Sequence, residues 1–212
     1  MAYKILKRKK QRLTLMLSGF FISVTIGNIL NMVYAVMTNN TVILILHFLT
    51  LFFLFFGIVF VFIVNMIILE STLVFSVKRQ NRYIVLYGTL LFLGMLILLL
   101  LPFDLVEIHS RGYPIWHPIF FFYVVSIITG FAIIPLIYTN FKIYFRFETK
   151  ALKRKWLDYL IGSLGVIIIM YLLMINNLLV SASYRSIISI AGFSIVLWVS
   201  LMYYGIGSKL KS

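Results

Sequence analysis

The chain of 212 residues has no cysteine, four prolines and only five acidic residues. Without thiols it forms no disulfide, offers no thiolate nucleophile and holds no metal or cluster through sulfur. Charge is scarce as well: 11% of the residues are charged, against about a quarter in a soluble domain. What fills the space is apolar, with 63% hydrophobic and 17% aromatic residues. These residues come in recurrent runs of about 20 or more, the length that crosses a hydrocarbon layer. A soluble globular domain is thereby excluded, and the fold class read from the sequence is an all-α integral membrane protein.

The runs number six and cover residues 13–37, 42–69, 83–101, 118–138, 160–180 and 186–204. The first is too long for a signal peptide and lacks a small-x-small cleavage site, so it reads as a retained helix. Pro102 closes the third run, and Pro135 is expected to break the fourth. Connections are short, so the chain reads as a single transmembrane domain over 1–212, a six-helix bundle without linker or internal repeat.

Orientation follows from the basic residues, which resist translocation. Of 19 Lys and Arg, only Arg111 and Arg185 fall on one side, leaving 17 on the other. The N-terminus and the C-terminus are therefore both expected in the cytoplasm, in the plasma membrane of a prokaryote. The net charge of +14 then serves orientation and contact with anionic lipid head groups, foremost through Lys7, Arg8, Lys9, Lys10, Lys153, Arg154 and Lys155. Nucleic acid is not expected as a partner, because no soluble basic domain is there to present it. Within 141–156, Phe141, Phe145, Leu152 and Trp156 recur at helical intervals among bases, which suits a basic segment lying in the head-group plane. Tyr83, Trp116, Trp156, Tyr203 and Tyr204 sit at run ends, where an interfacial aromatic belt would fall.

Small or polar residues recur every fourth position in the first run: Gly19, Ser23, Gly27, Asn31 and Ala35. Ser186, Ser189 and Gly192 form a second stripe in the sixth. Lipid tails give helices no hydrophobic reason to associate, so contact relies on close backbone approach and interhelical hydrogen bonds, which such stripes permit. Both are read as helix-packing faces, toward helices of the same chain or toward a partner subunit. From Leu90 to Leu101 the third run is nearly pure Leu, Ile and Phe and suits a lipid-exposed edge.

Polar groups at membrane depth are costly, and here they are few: His47, Asn28, Asn31, Asn65, Glu70, Ser126, Thr129, Asn176 and Asn177. Each Asn is explained by an interhelical hydrogen bond or by a small cavity. His47, Asp104, Glu107, His109 and His117 all fall on the outer side, the last four in a loop read as polar and solvated. Imidazole and carboxylate are the donors a divalent metal needs, although their spacing matches no ligand motif.

Enzyme classes fail for want of parts. No run carries paired acids, a Ser–His couple or a metal-binding His pair, and no Lys lies at depth to hold a retinal-type chromophore. No cofactor is expected. The reading is a non-enzymatic sensory, signalling or membrane-assembly module, with a small-solute transporter component as the alternative. In length, span number, inside termini and the spacing of Gly19, Ser23 and Gly27, the chain resembles substrate-binding subunits of energy-coupling-factor vitamin transporters. There an Ala-xxx-Ala motif on the first helix docks a partner, and here Ala is replaced throughout. What the resemblance implies is a partner subunit at the first helix.

Overall fold

Among the described residues of a computed structural model of the chain, six helices are long and apolar enough to cross a membrane: Arg12–Tyr34, Asn40–Glu70, Val77–Leu100, Pro118–Arg146, Lys150–Leu178 and Ala182–Ile206. The structure describes residues 12–110 and 112–207. Lys7, Arg8, Lys9 and Lys10, assigned to head groups from the sequence, lie outside the described residues, as does Arg111. In chain order the elements are α1 (Arg12–Tyr34), α2 (Asn40–Val74), α3 (Val77–Leu100), β1 (Val106–Ile108), β2 (Pro114–Trp116) and α4 (Pro118–Ile128). A π turn (Thr129–Ile133) leads into α5 (Ile134–Arg146), followed by α6 (Lys150–Leu178), α7 (Ala182–Gly192), α8 (Ile195–Met202) and a last π turn (Tyr203–Gly207).

Helix ends follow caps and not the onset of charge. Ser76 Oγ accepts from Arg79 N at 3.4 Å and starts α3 six residues before the apolar run, because Lys and Arg are good helix formers even where they lower hydropathy. Asn39 Oδ1 starts α2 in the same way, accepting from Thr41 N at 3.0 Å. The basic segment 141–156 is not a separate interfacial helix. Its first half ends α5 and its second half opens α6, with Trp156 buried.

Pro135 does not end the fourth span. Ile134 N donates to Thr129 O, five residues back, so the backbone widens into a π turn and then resumes as α5. A proline ring in a regular helix meets the carbonyl four residues earlier, here Phe131, and a wider turn at that point gives it room.

Contacts divide the chain into two compact units, 1–139 and 140–212, where the sequence suggested one domain. The boundary falls inside α5. In the first unit α2 is the common partner. Its Phe52, Phe56 and Phe60 form a ladder, with Phe52 and Phe56 stacked at 5.1 Å. Neighbouring helices receive these side chains at glycines: a Cβ on Gly19 would stand 3.2 Å from Phe60, and one on Gly88 would stand 2.8 Å from Phe56. At Gly27 the added carbon would meet Leu54 at 2.7 Å. Between them Ser23 Oγ donates to Phe53 O at 2.6 Å. The stripe on α1 thus faces α2 of the same chain at Gly19, Ser23 and Gly27, whereas Asn31 and Ala35 are exposed.

The second unit uses glycine differently from the sequence reading. Ser186 and Ser189 are exposed, and nothing stands within 4 Å of a Cβ on Gly192, so this stripe is not a close-packing face toward the described residues of the chain. The close approach is made by Gly162 and Gly165 of α6. A Cβ on Gly162 would reach Trp198 O at 2.6 Å, and one on Gly165 would collide with the Trp198 indole. Trp198 is held in turn by donating Nε1–H to Ser194 Oγ at 3.0 Å. Asn140 and Ser163 share a hydrogen bond of 3.2 Å, and Trp156 Nε1 donates to Asn140 O at 2.9 Å. Leu93, Ile97 and Leu100 along α3 are exposed, as are Ile187, Ile190 and Val196 of the sixth span.

Gly27→Val should cost about 1–3 kcal/mol, the usual range for overpacking. Gly130→Ala, with nothing within 4 Å of the new carbon, should stay within about 0.5 kcal/mol of wild type. Thermal unfolding of the purified protein in detergent measures both.

Candidate functional site

The segment after α3 is folded, not a solvated loop. β1 and β2 pair antiparallel, Val106 opposite Trp116 and Ile108 opposite Pro114. The turn closes when Gly112 N donates to His109 O at 2.7 Å. Gly112 has φ +80°, a backbone setting open to glycine and strained for other L residues. His117 N donates to Leu105 O at 2.9 Å, which shuts the base of the hairpin. Alternation along the strands turns Val106 and Trp116 inward and leaves Glu107 exposed.

Beneath this cap lies His47, in the second turn of α2 and 3% exposed. Trp116, 1% exposed, donates its Nε1–H to His47 Nε2 at 3.0 Å. An indole can only donate, so Nε2 presents a lone pair and the proton of the neutral ring sits on Nδ1. Tyr34, the last residue of α1, stands edge-on to the imidazole at 5.5 Å. Phe120 of α4 meets Trp116 edge-on at 5.2 Å. His47 Nδ1 and Thr50 Oγ1, one turn apart on α2, are buried without a hydrogen-bond partner among the described residues.

The five metal candidates do not converge. Among the described residues no group of three His, Asp or Glu side chains is placed to hold a metal ion. His47 spends Nε2 on Trp116, while His117 Nδ1 accepts from Ile119 N at 3.4 Å and caps α4. His109 stacks on Tyr113 at 4.4 Å, and Asp104 and Glu107 are exposed. Trp116 and Trp156, read from the sequence as interfacial belt residues, are both buried.

At the opposite end of α2, Asn65 is fully buried. Its Nδ2 donates to Thr139 Oγ1 at 3.1 Å and reaches Leu136 O at 3.4 Å. Thr139 Oγ1 also donates to Pro135 O, 2.8 Å away. α2 is therefore tied by one polar contact to the hairpin that leads into α4 and by another to α5, with α4 and the π turn between. Among the remaining polar residues that the sequence places in apolar runs, Asn28 turns back on its own helix, donating to Val24 O at 2.9 Å. Ser126 is exposed, Asn176 and Asn177 are half-buried, and Glu70 keeps one oxygen buried without a hydrogen-bond partner among the described residues.

Sequence reasoning missed Gln80 altogether. It is buried, accepts from Arg12 Nε at 2.9 Å and donates to Phe75 O at 2.7 Å. Arg12 also bonds Asn81. A glutamine just inside a basic loop carries no local signal of burial; only a cation on another helix makes it a partner.

A double-mutant cycle on Asn65→Ala and Thr139→Val should give a coupling of about 0.6 kcal/mol and not above about 1.7, the range for hydrogen bonds between membrane helices. Unfolding of the four proteins under one detergent condition measures it. No protein-family model, curated protein or solved structure matches the chain.

Proposed function

We propose that the chain is a non-enzymatic six-span membrane bundle that senses or assembles through shifts in helix packing, with both ends in the cytoplasm. The observation that carries this reading is that α2 is tied at one end to the hairpin cap and at the other to α5. One tie, Trp116 to His47, touches the hairpin cap, and the other, Asn65 to Thr139, lies at the far end of α2. A π turn separates them, and such turns let a helix change register locally without breaking. On this reading a change at the cap is passed along α2 to its other end. The 17 basic residues that the sequence assigns to one side support the cytoplasmic placement of both termini, and Lys153, Arg154 and Lys155 gain about 1 kcal/mol each from anionic head groups.

Small-solute carriage is the competing reading, and the two separate in native mass spectrometry of the gently extracted protein. A sensory or assembly module retains a partner chain at fixed stoichiometry. A small molecule retained in place of any partner, and raising the unfolding temperature when added back, overturns the proposal.

For the orientation, cysteines introduced singly at Ser110 and Thr149, both exposed, separate the two sides. An impermeant thiol reagent applied to intact cells should label Ser110→Cys and should reach Thr149→Cys only after permeabilisation. Labelling of Thr149→Cys in intact cells contradicts the placement.

A further inference from the structure

The bond between Trp116 and His47 depends on a single lone pair. Nε2 of His47 accepts from an indole that has no other role than donor. A proton on Nε2 turns the acceptor into a second donor, and two N–H groups then face each other across 3.0 Å. Bond and proton are therefore mutually exclusive. The surroundings offer an imidazolium little in return. From α1 the titratable group against the ring is the Tyr34 phenol. From the cap and the start of α4, Asp104, Glu107 and His117 are exposed and His109 stacks on Tyr113. The rings around Trp116 and the next turn of α2 are apolar, Phe120 against Trp116 and Phe48 against Phe92. No carboxylate contacts the ring among the described residues, Nδ1 has no hydrogen-bond partner among them, and the buried Thr50 hydroxyl one turn away is without one too.

We propose that the hairpin 104–117 is a latch closed by the Trp116–His47 hydrogen bond and released by protonation of His47. Opening takes up one proton from solvent onto Nε2, frees the indole N–H to water and lets the charged ring be hydrated. The sign follows from that uptake. The latch is closed above the ordinary imidazole range, about 6.5, and each pH unit below it favours opening by up to about tenfold. The cap is the part of the first unit that responds, since its inward anchor, Trp116, is the group whose partner changes.

Amide hydrogen exchange over residues 104–117 of the full chain in nanodiscs tests this, with rates normalised to an unstructured peptide at each pH. His47→Gln keeps an acceptor oxygen for the indole and takes up no proton. Between pH 6.5 and pH 5.5 wild-type protection should fall about fivefold relative to His47→Gln, and Trp116→Phe should show low protection at both values. Parallel protection in wild type and His47→Gln overturns the latch. If His47→Gln does not fold, wild type against Trp116→Phe decides: an equal pH slope in the two proteins overturns it, and a slope confined to wild type supports it.

Discussion

How near α1 can come to α2 sets the architecture of the first unit. In hydrocarbon, apolar side chains gain nothing by leaving lipid for protein, so two helices stay together through van der Waals contact and the hydrogen bonds that contact allows. Gly27 and Gly19 make room for Leu54 and Phe60, and in the space between them Ser23 reaches the Phe53 carbonyl. The same device recurs where Gly88 admits Phe56 and where Gly162 and Gly165 admit the turn of α8 that carries Trp198. Large side chains from one helix thus enter notches in the next, and each notch exists because a carbon is missing.

Once the backbones are that close, the few buried polar groups have definite partners. Asn65 finds Thr139, Gln80 finds Arg12 and Trp116 finds His47. None of these forms a nucleophile–base pair, and among the described residues none belongs to a three-ligand metal cluster. Their chemistry is that of ties between helices, which is why the reading offered is one of packing and its shifts. The tie at His47 differs from the others in kind, since its acceptor is an imidazole nitrogen, which can bind a proton, whereas the other two acceptors are a hydroxyl and an amide oxygen.

The spans were legible because length and hydropathy are summed over about 20 residues and single exceptions wash out. Their ends were not. Ser76 and Asn39 act through one side-chain oxygen each, and basic residues of α3 and α6 extend helices that a hydropathy reading cuts short. The four-residue stripe on α1 was visible, but which surface it faced was not, because spacing does not say whether the opposing helix belongs to the same chain. On the sixth span the stripe is exposed at Ser186 and Ser189, and the notches within the chain lie on α6. The hairpin escaped notice because three-residue strands carry too little periodicity to detect. The pairing of Trp116 with His47 joins residues far apart in sequence, and no local pattern announces it. Pro135 was visible, and the regular α-helix is interrupted beside it, by a π turn that the sequence does not announce.

The chain has no native cysteine, so the α1–α2 contact can be read directly. A Cβ on Gly57 would lie 3.3 Å from Val24, whereas Ile22 is 46% exposed. Under mild oxidation in native membranes, Val24→Cys with Gly57→Cys should close a disulfide within one chain, and Ile22→Cys with Gly57→Cys should not. Equal bonding by the two pairs, or bonding of Val24→Cys only between separate chains, would contradict the packing on which this account rests.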